Sequence, residues 1–173
     1  MSLFVTLNKQ ELELVKKLAK ARANYNRRVK RNDHLKADKS KTDFIEINGL
    51  GGEFAVARAL NLFPDINSTD ISRYDLVLPS GKHIEVKTTE HKAGHLLVRE
   101  LNAADLYLLV TGTYDTRYEI VGYISANNLK DHKTTWYESE VYLVSQKDLI
   151  PIEKLLSIKY RRILEKRGYH ESQ

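Results

Sequence analysis

Asp75, Glu85 and Lys87 are the residues whose types and spacing indicate chemistry in this chain. Glu85 and Lys87 lie two positions apart in HIEVKTT, and Asp75 lies ten positions before Glu85 in YDLVL. In a strand, Ile84 and Val86 point to one face while Glu85 and Lys87 point to the other. Paired carboxylates bind a hard cation such as Mg²⁺, and a neighbouring lysine orients or deprotonates a water. The pattern indicates metal-assisted hydrolysis; an exposed strand with a cross-strand ion pair is the alternative.

The register of the hairpin decides whether Asp75 joins the other two residues. The connection between the two strands lies in Pro79–Lys82. A two-residue turn pairs Asp75 with Val86 and turns the carboxylate away, whereas an odd loop with Gly81 at positive φ pairs Asp75 with Lys87. The metal hypothesis therefore predicts an odd-length loop, or a bulge near Asp75.

Glu53 is the fourth candidate, because it lies in the middle of a predicted helix that also carries Gly49 and Gly52. Each mid-helix glycine costs about 1 kcal/mol relative to alanine, so a helix with two needs a reason such as close approach to a sheet. A carboxylate on this small, apolar surface is costly to bury without a partner. We expect this helix to bring Glu53 to the hairpin.

Periodicity and capping predict the elements that position these residues. Asn8 with Glu11 caps the first helix, and Asp43 with Glu46 caps the second; the polar stretch His34–Lys41 is a connector between them. The predicted elements are helices over Lys9–Arg31, Phe44–Leu60 and Pro151–Lys166, and strands over Tyr74–Leu78, His83–Thr88, Leu96–Arg99, Leu106–Val110, Tyr118–Ile124 and, at a sheet edge, Val141–Val144. This order indicates an α/β or α+β sheet domain with helical ends.

Charge divides the chain into three parts. Residues 1–42, a basic helix and connector, carry twelve Lys or Arg against four acids; residues 43–150, the core, carry ten against sixteen; and residues 151–173, a basic helix, carry six against three. Basic surfaces attract polyanions, and an acidic centre repels phosphate unless a cation lies there. The residues expected to contact nucleic acid are Arg22, Arg27, Arg28, Lys30 and Arg31.

Composition excludes several other classes. There is no cysteine, which excludes disulfides, thiolate zinc sites and cysteine nucleophiles. No apolar run is long enough to span a membrane, and no secretory signal is evident at the N-terminus, so a cytoplasmic location is expected. His91 and His95 are four apart in a loop-like context without a third ligand, so zinc is not expected. A P-loop motif is absent.

The order of a helix glutamate, an aspartate and a Glu-x-Lys pair across a hairpin resembles the PD-(D/E)XK nuclease superfamily, with its restriction-endonuclease-like fold. The matching segments are NGLGGEFAVARAL, YDLVL, IEVKTT, ADLYLLVTG and YEIVGYIS, and the resemblance covers about residues 43–150. Tyr74 stands where the superfamily has proline, and no Gln-x-x-x-Tyr stretch follows Lys87, which argues against the RecB-like branch.

The resemblance implies an αβββαβ core, with a mixed central sheet flanked by helices and an N-terminal helical extension. It implies that Glu53, Asp75, Glu85 and Lys87 are catalytic. The implied Mg²⁺ ligands are Asp75, Glu85, Glu53 and the backbone carbonyl of Val86, with Mn²⁺ as a substitute. The expected activity is a metal-dependent deoxyribonuclease, with internal cleavage favoured and RNA left open as a substrate.

Two alternatives remain at the level of sequence. One is a non-catalytic nucleic-acid-binding protein on the same scaffold. The other is an interaction protein whose first helix pairs with another chain through an apolar stripe that includes Leu14, Leu18 and Tyr25. A homodimer is also compatible with the nuclease, because cutting both strands of a duplex favours two active sites.

Overall fold

The computed structural model describes residues 3–28, 39–64, 66, 74–115 and 117–156, and of residues 26, 27 and 39–41 it describes the backbone alone. The helices and strands are β1 (Leu3–Val5), α1 (Lys9–Arg28), α2 (Lys39–Leu60), β2 (Leu76–Val77), β3 (His83–Thr89), β4 (Leu96–Val98), β5 (Leu106–Gly112), β6 (Tyr118–Ser125), α3 (Ala126–Leu129), β7 (Lys133–Trp136) and β8 (Ser139–Val144). Short 3₁₀ turns follow α3, β8 and Pro151.

The strands form two sheets. The larger has five strands in the order β1-β6-β5-β3-β2, and the smaller has three in the order β4-β8-β7. In the larger sheet β3 and β5 run parallel, and the other neighbours are antiparallel. The predicted mixed sheet in an α+β chain is therefore confirmed.

The larger sheet is covered on both faces. On the face that packs against α1 and α2, Ile84 and Leu108 are fully buried. On the opposite face Leu109 lies with Val144 of the second sheet and Leu129 of α3. Consecutive residues of a strand point to opposite faces, so a strand covered on both sides needs a nearly continuous apolar sequence. This requirement explains the buried run of β5.

Helix α1 begins at Lys9, as predicted, with the Asn8–Glu11 capping box in place. The Glu11 amide donates to Asn8 Oδ1 at 2.9 Å, and the Asn8 amide donates to Glu11 Oε2 at 2.6 Å. These reciprocal bonds satisfy two amides that the first turn of a helix leaves unpaired. The last residues of the predicted helix, 29–31, lie outside the described residues.

The buried face of α1 differs from the predicted stripe. Val15, Ala19 and Ala23 are buried, whereas Leu14 is 41% exposed; Leu18 packs partly against the core. Apolar side chains lie on two adjacent faces of this helix, so periodicity alone does not decide which face is buried. Packing against α2 buries the face that contains Val15. Leu14 therefore lies outside the core, and the contact of its stripe with a partner chain stays a prediction.

Helix α2 begins at Lys39 and not at Phe44, so the last part of the predicted connector is helical. Asp43 and Glu46 consequently lie inside the helix, and their prediction as a capping pair is wrong. The Phe44 ring meets the Tyr114 ring edge-on at 5.9 Å, a tertiary contact that supports the early turns. Local capping patterns recur by chance, and such packing overrides them.

Two further predictions about elements need correction or fall in part outside the described residues, and two strands were missed. Strand β8 pairs with β4 on one side and β7 on the other, so it is central and not at an edge. Strands β1 and β7 were not predicted. After Pro151 the chain forms a 3₁₀ turn over Ile152–Lys154, and the rest of the predicted final helix lies beyond the described residues. In the described part of the chain, no helix has the length and apolar character that a membrane crossing requires.

Candidate active site

The hairpin β2–β3 has the odd connection that the metal hypothesis predicts. The amide of Leu78 donates to the carbonyl of Lys82 at 2.8 Å, which leaves three residues between them, and Gly81 has φ of 82°. The exact register differs from the prediction, because Leu76 pairs with Ile84. The predicted pairing of Asp75 with Lys87 is therefore wrong.

Asp75 lies directly before β2, where the pairing with β3 becomes irregular. Its amide donates to the Ile84 carbonyl at 2.8 Å, although the Cα partner of Ile84 is Leu76. Two consecutive residues thus face one residue of the partner strand, which is the pattern of a β-bulge. The Asp75 side chain then accepts the Val86 amide through Oδ2 at 2.7 Å. Since the amide and carbonyl of a strand residue point to the same edge, the Val86 carbonyl lies on the Asp75 side of β3.

Strand β3 has the predicted alternation. Ile84 and Val86 are buried against the helices, and Glu85 and Lys87 lie on the other face. Lys87 Nζ contacts Glu85 Oε1 at 2.5 Å, with side-chain exposures of 38% and 13%. The acid and the lysine that the sequence singles out are therefore in direct contact.

Asn102 is a site residue that sequence reasoning missed. Its Nδ2 donates to Glu85 Oε2 at 2.7 Å, so both Glu85 oxygens have a donor. Its Oδ1 accepts the hydroxyl of buried Tyr107 at 2.9 Å and the amide of Ala104 at 3.0 Å. A lone asparagine before a strand carries no sequence signal for this role, because the contact spans seventeen positions.

Helix α2 brings Glu53 to the site through a close approach at two glycines. A Cβ at Gly52 would overlap Thr88 Oγ1 of β3, and a Cβ at Gly51 would overlap the Tyr118 hydroxyl. The predicted approach is thus confirmed for Gly52, but not for Gly49, where a Cβ would have no neighbour within 4 Å.

The partner of Glu53 comes from α1. Arg22 Nη1 lies 3.1 Å from both Glu53 oxygens, and the two side chains are 22% and 12% exposed. Arg22 was predicted as a nucleic-acid contact, and its part in the carboxylate cluster was missed because the pair is 31 positions apart. Of the other residues in that prediction, Arg28 has an exposed side chain, while the side chain of Arg27 and all of Lys30 and Arg31 lie outside the description.

The three carboxyl groups influence one another electrostatically. The pKa of Glu53 is raised to about 8, because burial and the charge of Asp75 raise it by more than Arg22 lowers it. Burial raises the pKa of Asp75 to about 7, helped by the charge of Glu85 and opposed by the Val86 amide, Lys87 and Arg22. Like charges held out of water disfavour ionisation. Glu53, Asp75 and Glu85 therefore form one acidic cluster, which Arg22 and Lys87 neutralise only in part.

The donor chemistry of this cluster fits a hard divalent cation. It consists of carboxylate and carbonyl oxygens, the ligands that Mg²⁺ takes in proteins, and its excess negative charge would be offset by such an ion. The side chains are not arranged as a complete set of metal ligands in this conformation. Within the described ranges, no group of three or more His, Cys, Asp or Glu side chains is arranged to hold a metal. The oxygens of Glu53 and Glu85 face Arg22, Lys87 and Asn102 instead.

Fold and site together define an α+β protein with an acidic cluster and a lysine on β3, next to the edge strand β2. Residues 2–128 match a family described as Family of unknown function (DUF5843). The chain belongs to this family, and the match contains Arg22, Glu53, Asp75, Glu85 and Lys87, while β7 and β8 lie beyond it. No curated protein matches the chain.

Proposed function

We propose that this protein is a Mg²⁺-dependent nuclease of the cytoplasm that hydrolyses phosphodiester bonds in DNA, with internal cleavage favoured. The observation that carries the proposal is the electrostatic interaction of Glu53 on α2, Asp75 just before β2 and Glu85 on β3, with Lys87 in contact with Glu85. Perturbed carboxyl groups with a specific charged partner are a common feature of catalytic sites. A solvent-facing strand with an incidental ion pair has no need of a buried third carboxylate.

Each residue has a role in this proposal. Asp75, Glu85, Glu53 and the Val86 carbonyl would hold the cation, with Mn²⁺ as a substitute. The cation supplies a lowered pKa of bound water and offsets charge on the phosphoryl oxygens. Lys87, which is partly exposed and anchored by Glu85, orients the attacking water and counters charge that develops in the transition state.

We also propose that the core is a variant of the restriction-endonuclease-like fold. In support, α2 carries the helix glutamate, β2 and β3 form the hairpin, and β5 lies parallel to β3. The variation lies in the connection from β3 to β5. Between Glu90 and Asp105 the chain holds strand β4 and no helix, where the αβββαβ order has a helix.

The decisive experiment is a cleavage assay on linear, circular, single-stranded and branched DNA, and on RNA, with Mg²⁺ or Mn²⁺. Lys87→Ala should reduce cleavage by about 10²- to 10⁴-fold, the usual contribution of a positioned acid–base group. Binding of DNA in EDTA should change little. Lys82→Ala, at an exposed turn of the same hairpin, is the matched control and should cleave normally. Absence of cleavage on every substrate would overturn the proposal.

A non-catalytic nucleic-acid-binding protein is the second candidate. It is favoured by the present orientation of the Glu53 and Glu85 oxygens towards cationic side chains. This candidate predicts salt-sensitive DNA binding and no effect of Mg²⁺ on the melting temperature. The helix-mediated interaction protein has less support, because Leu18 of its predicted stripe already packs partly against the core of the same chain. Binding of DNA and formation of a homodimer remain proposals.

A further inference from the structure

A pocket of about 580 Å³ opens beside Lys87, between the larger sheet and the second sheet. Leu97, Leu109 and Leu143 line it, and Lys87 belongs to both the pocket and the candidate active site. Its size is typical of pockets that enclose a small molecule or one chemical group of a larger ligand. A ligand in this pocket therefore lies next to Lys87, which is proposed to act at the scissile phosphate.

The wall of the pocket that follows β3 is held in place by hydrogen bonds. The Gly94 amide donates to the His91 carbonyl at 2.8 Å, which closes a tight turn. Gln146 Nε2 then donates to the carbonyls of Lys92 and Gly94, both at 2.8 Å, and so fastens this turn to the stretch after β8. The pocket is thus largely formed before a ligand arrives, which lowers the entropic cost of binding.

The chemistry of the lining suits a flat heteroaromatic ring. Trp136, the last residue of β7, is 43% exposed and lines the pocket together with the imidazoles of His91 and His95. Aromatic faces are platforms on which nucleobases stack, and ring nitrogens with a lysine amine pair with polar base edges. None of the described residues that line the pocket carries a carboxylate, so the phosphate that accompanies a base meets no like charge from them.

We propose that this pocket receives an unpaired nucleobase adjacent to the phosphate at Lys87. The inference rests on the proposed nuclease function and narrows its substrate to single-stranded DNA or to unpaired positions in DNA. A base inside a duplex is paired and stacked, and it must rotate out of the helix to enter such a pocket, which costs binding energy. A single strand incurs no unpairing cost.

The test uses Trp136 as the reporter, because it is the only tryptophan of the chain. A short single-stranded DNA and the blunt duplex of the same sequence are titrated into the full-length protein in EDTA, and tryptophan fluorescence is followed. The single strand should quench the fluorescence and bind about ten-fold or more tightly than the duplex, as expected for base stacking. Equal quenching and equal affinity for the two forms would overturn the inference.

Trp136→Ala and Tyr137→Ala form a matched pair. Tyr137 is the next residue, is 89% exposed and does not line the pocket. Trp136→Ala should weaken single-strand binding about ten-fold, and Trp136→Phe should retain most of it. Tyr137→Ala removes only an edge-on ring contact with Trp136 at 5.5 Å and should bind nearly as tightly as wild type. Equal losses in the alanine variants would contradict the pocket. Quenching by the single strand without cleavage of any substrate would refute the nuclease function and still support the nucleobase pocket. Cleavage of duplexes without quenching would support the nuclease function and refute the nucleobase pocket.

Discussion

Burying Glu53 beside Asp75 costs the folded chain free energy whenever both carboxyl groups are ionised. Arg22 and Lys87 offset part of this cost, yet the pKa values of the two acids remain raised to about 8 and about 7. Two outcomes relieve the remaining repulsion: a proton stays bound, or a cation enters. At the scale of single residues, protons and divalent cations should therefore compete for the same place.

We predict that the free energy of unfolding falls as pH rises from the ordinary pKa values of Glu53 and Asp75 to their raised values in the folded chain. A carboxyl group whose pKa is higher in the folded chain binds more protons when folded, so stability is lost between its ordinary pKa and its folded pKa. The window runs from 4.5 to about 8 for Glu53 and from 3.8 to about 7 for Asp75. Glu53→Gln should flatten the loss, as measured by urea unfolding across this range.

Glu140→Gln is the control for this experiment, because Glu140 is 75% exposed and pairs with Lys133 at the surface. It should leave the pH dependence of unfolding unchanged. If Mg²⁺ is the cofactor, it would bind the deprotonated cluster, so it should raise the melting temperature more at the alkaline end of the window than at the acid end. The electrostatic account is wrong if Glu53→Gln and Glu140→Gln give the same pH profile.

At the scale of elements, the spacing between α2 and β3 sets the position of Glu53. Gly52 faces the Thr88 side chain, and Glu53 is the next residue of the helix. A change that separates helix from strand thus moves the carboxylate away from Asp75 and Glu85. Gly52 thus positions Glu53 by allowing α2 to approach β3 closely, although Gly52 itself is not proposed to bind a ligand.

We predict opposite effects for alanine at two glycines of α2. Gly52→Ala introduces an overlap with Thr88 Oγ1, and overpacking of this kind costs about 1–3 kcal/mol. Gly49→Ala meets nothing within 4 Å and should gain about 0.5–1 kcal/mol from helix propensity. Urea unfolding of the two variants provides the comparison. Similar changes in both would show that helix propensity, and not the approach to β3, controls these positions.

The sequence predicted the features of the site that depend on neighbours along the chain. The capping box at Asn8, the alternation of β3 and the odd connection near Gly81 all follow from local geometry, and the structure confirms them. The ion pair of Arg22 with Glu53 joins distant segments and leaves no local pattern. Strand β7 escaped prediction for a different reason: all four residues are exposed, so it lacks a buried, alternating face.

At the scale of the whole molecule, the basic charge lies at the two ends of the chain and the acidic charge in the core. Helix α1 links these regions, because it contributes Arg22 to the acidic cluster and continues to the exposed Arg28. A nucleic-acid backbone held along the end of α1 would thus be directed towards the cluster. In the proposed function, nucleic-acid binding and catalysis would then use separate residues of one helix.

We predict that the end of α1 contributes to the salt dependence of DNA binding. Each neutralised phosphate contributes about −0.9 to the slope of log K against log salt for duplex DNA, and about −0.7 for a single strand. Arg27→Ala with Arg28→Ala should therefore weaken binding and make the slope less steep by up to about two phosphate contacts. Fluorescence anisotropy over a range of salt concentrations measures both quantities.

Lys17→Ala with Lys20→Ala removes the same charge from exposed positions earlier in α1. This control should lower the affinity slightly, through the general field, and leave the slope nearly unchanged. Equal changes in slope for the two double variants would show that the basic charge acts in bulk. Contact with DNA would then not be localised to the end of the helix.

Strand β1 closes the edge of the larger sheet opposite to β2, and Leu3 pairs there with Ile120. Strand β1 precedes β6 along the chain and must therefore wait for β6 to be synthesised before the two can pair. Contacts between such distant parts of a chain form late and slow the folding of a domain. As the chain leaves the ribosome, α2 and the hairpin emerge before β6, so the residues of the acidic cluster are all available before the sheet is sealed at its far edge.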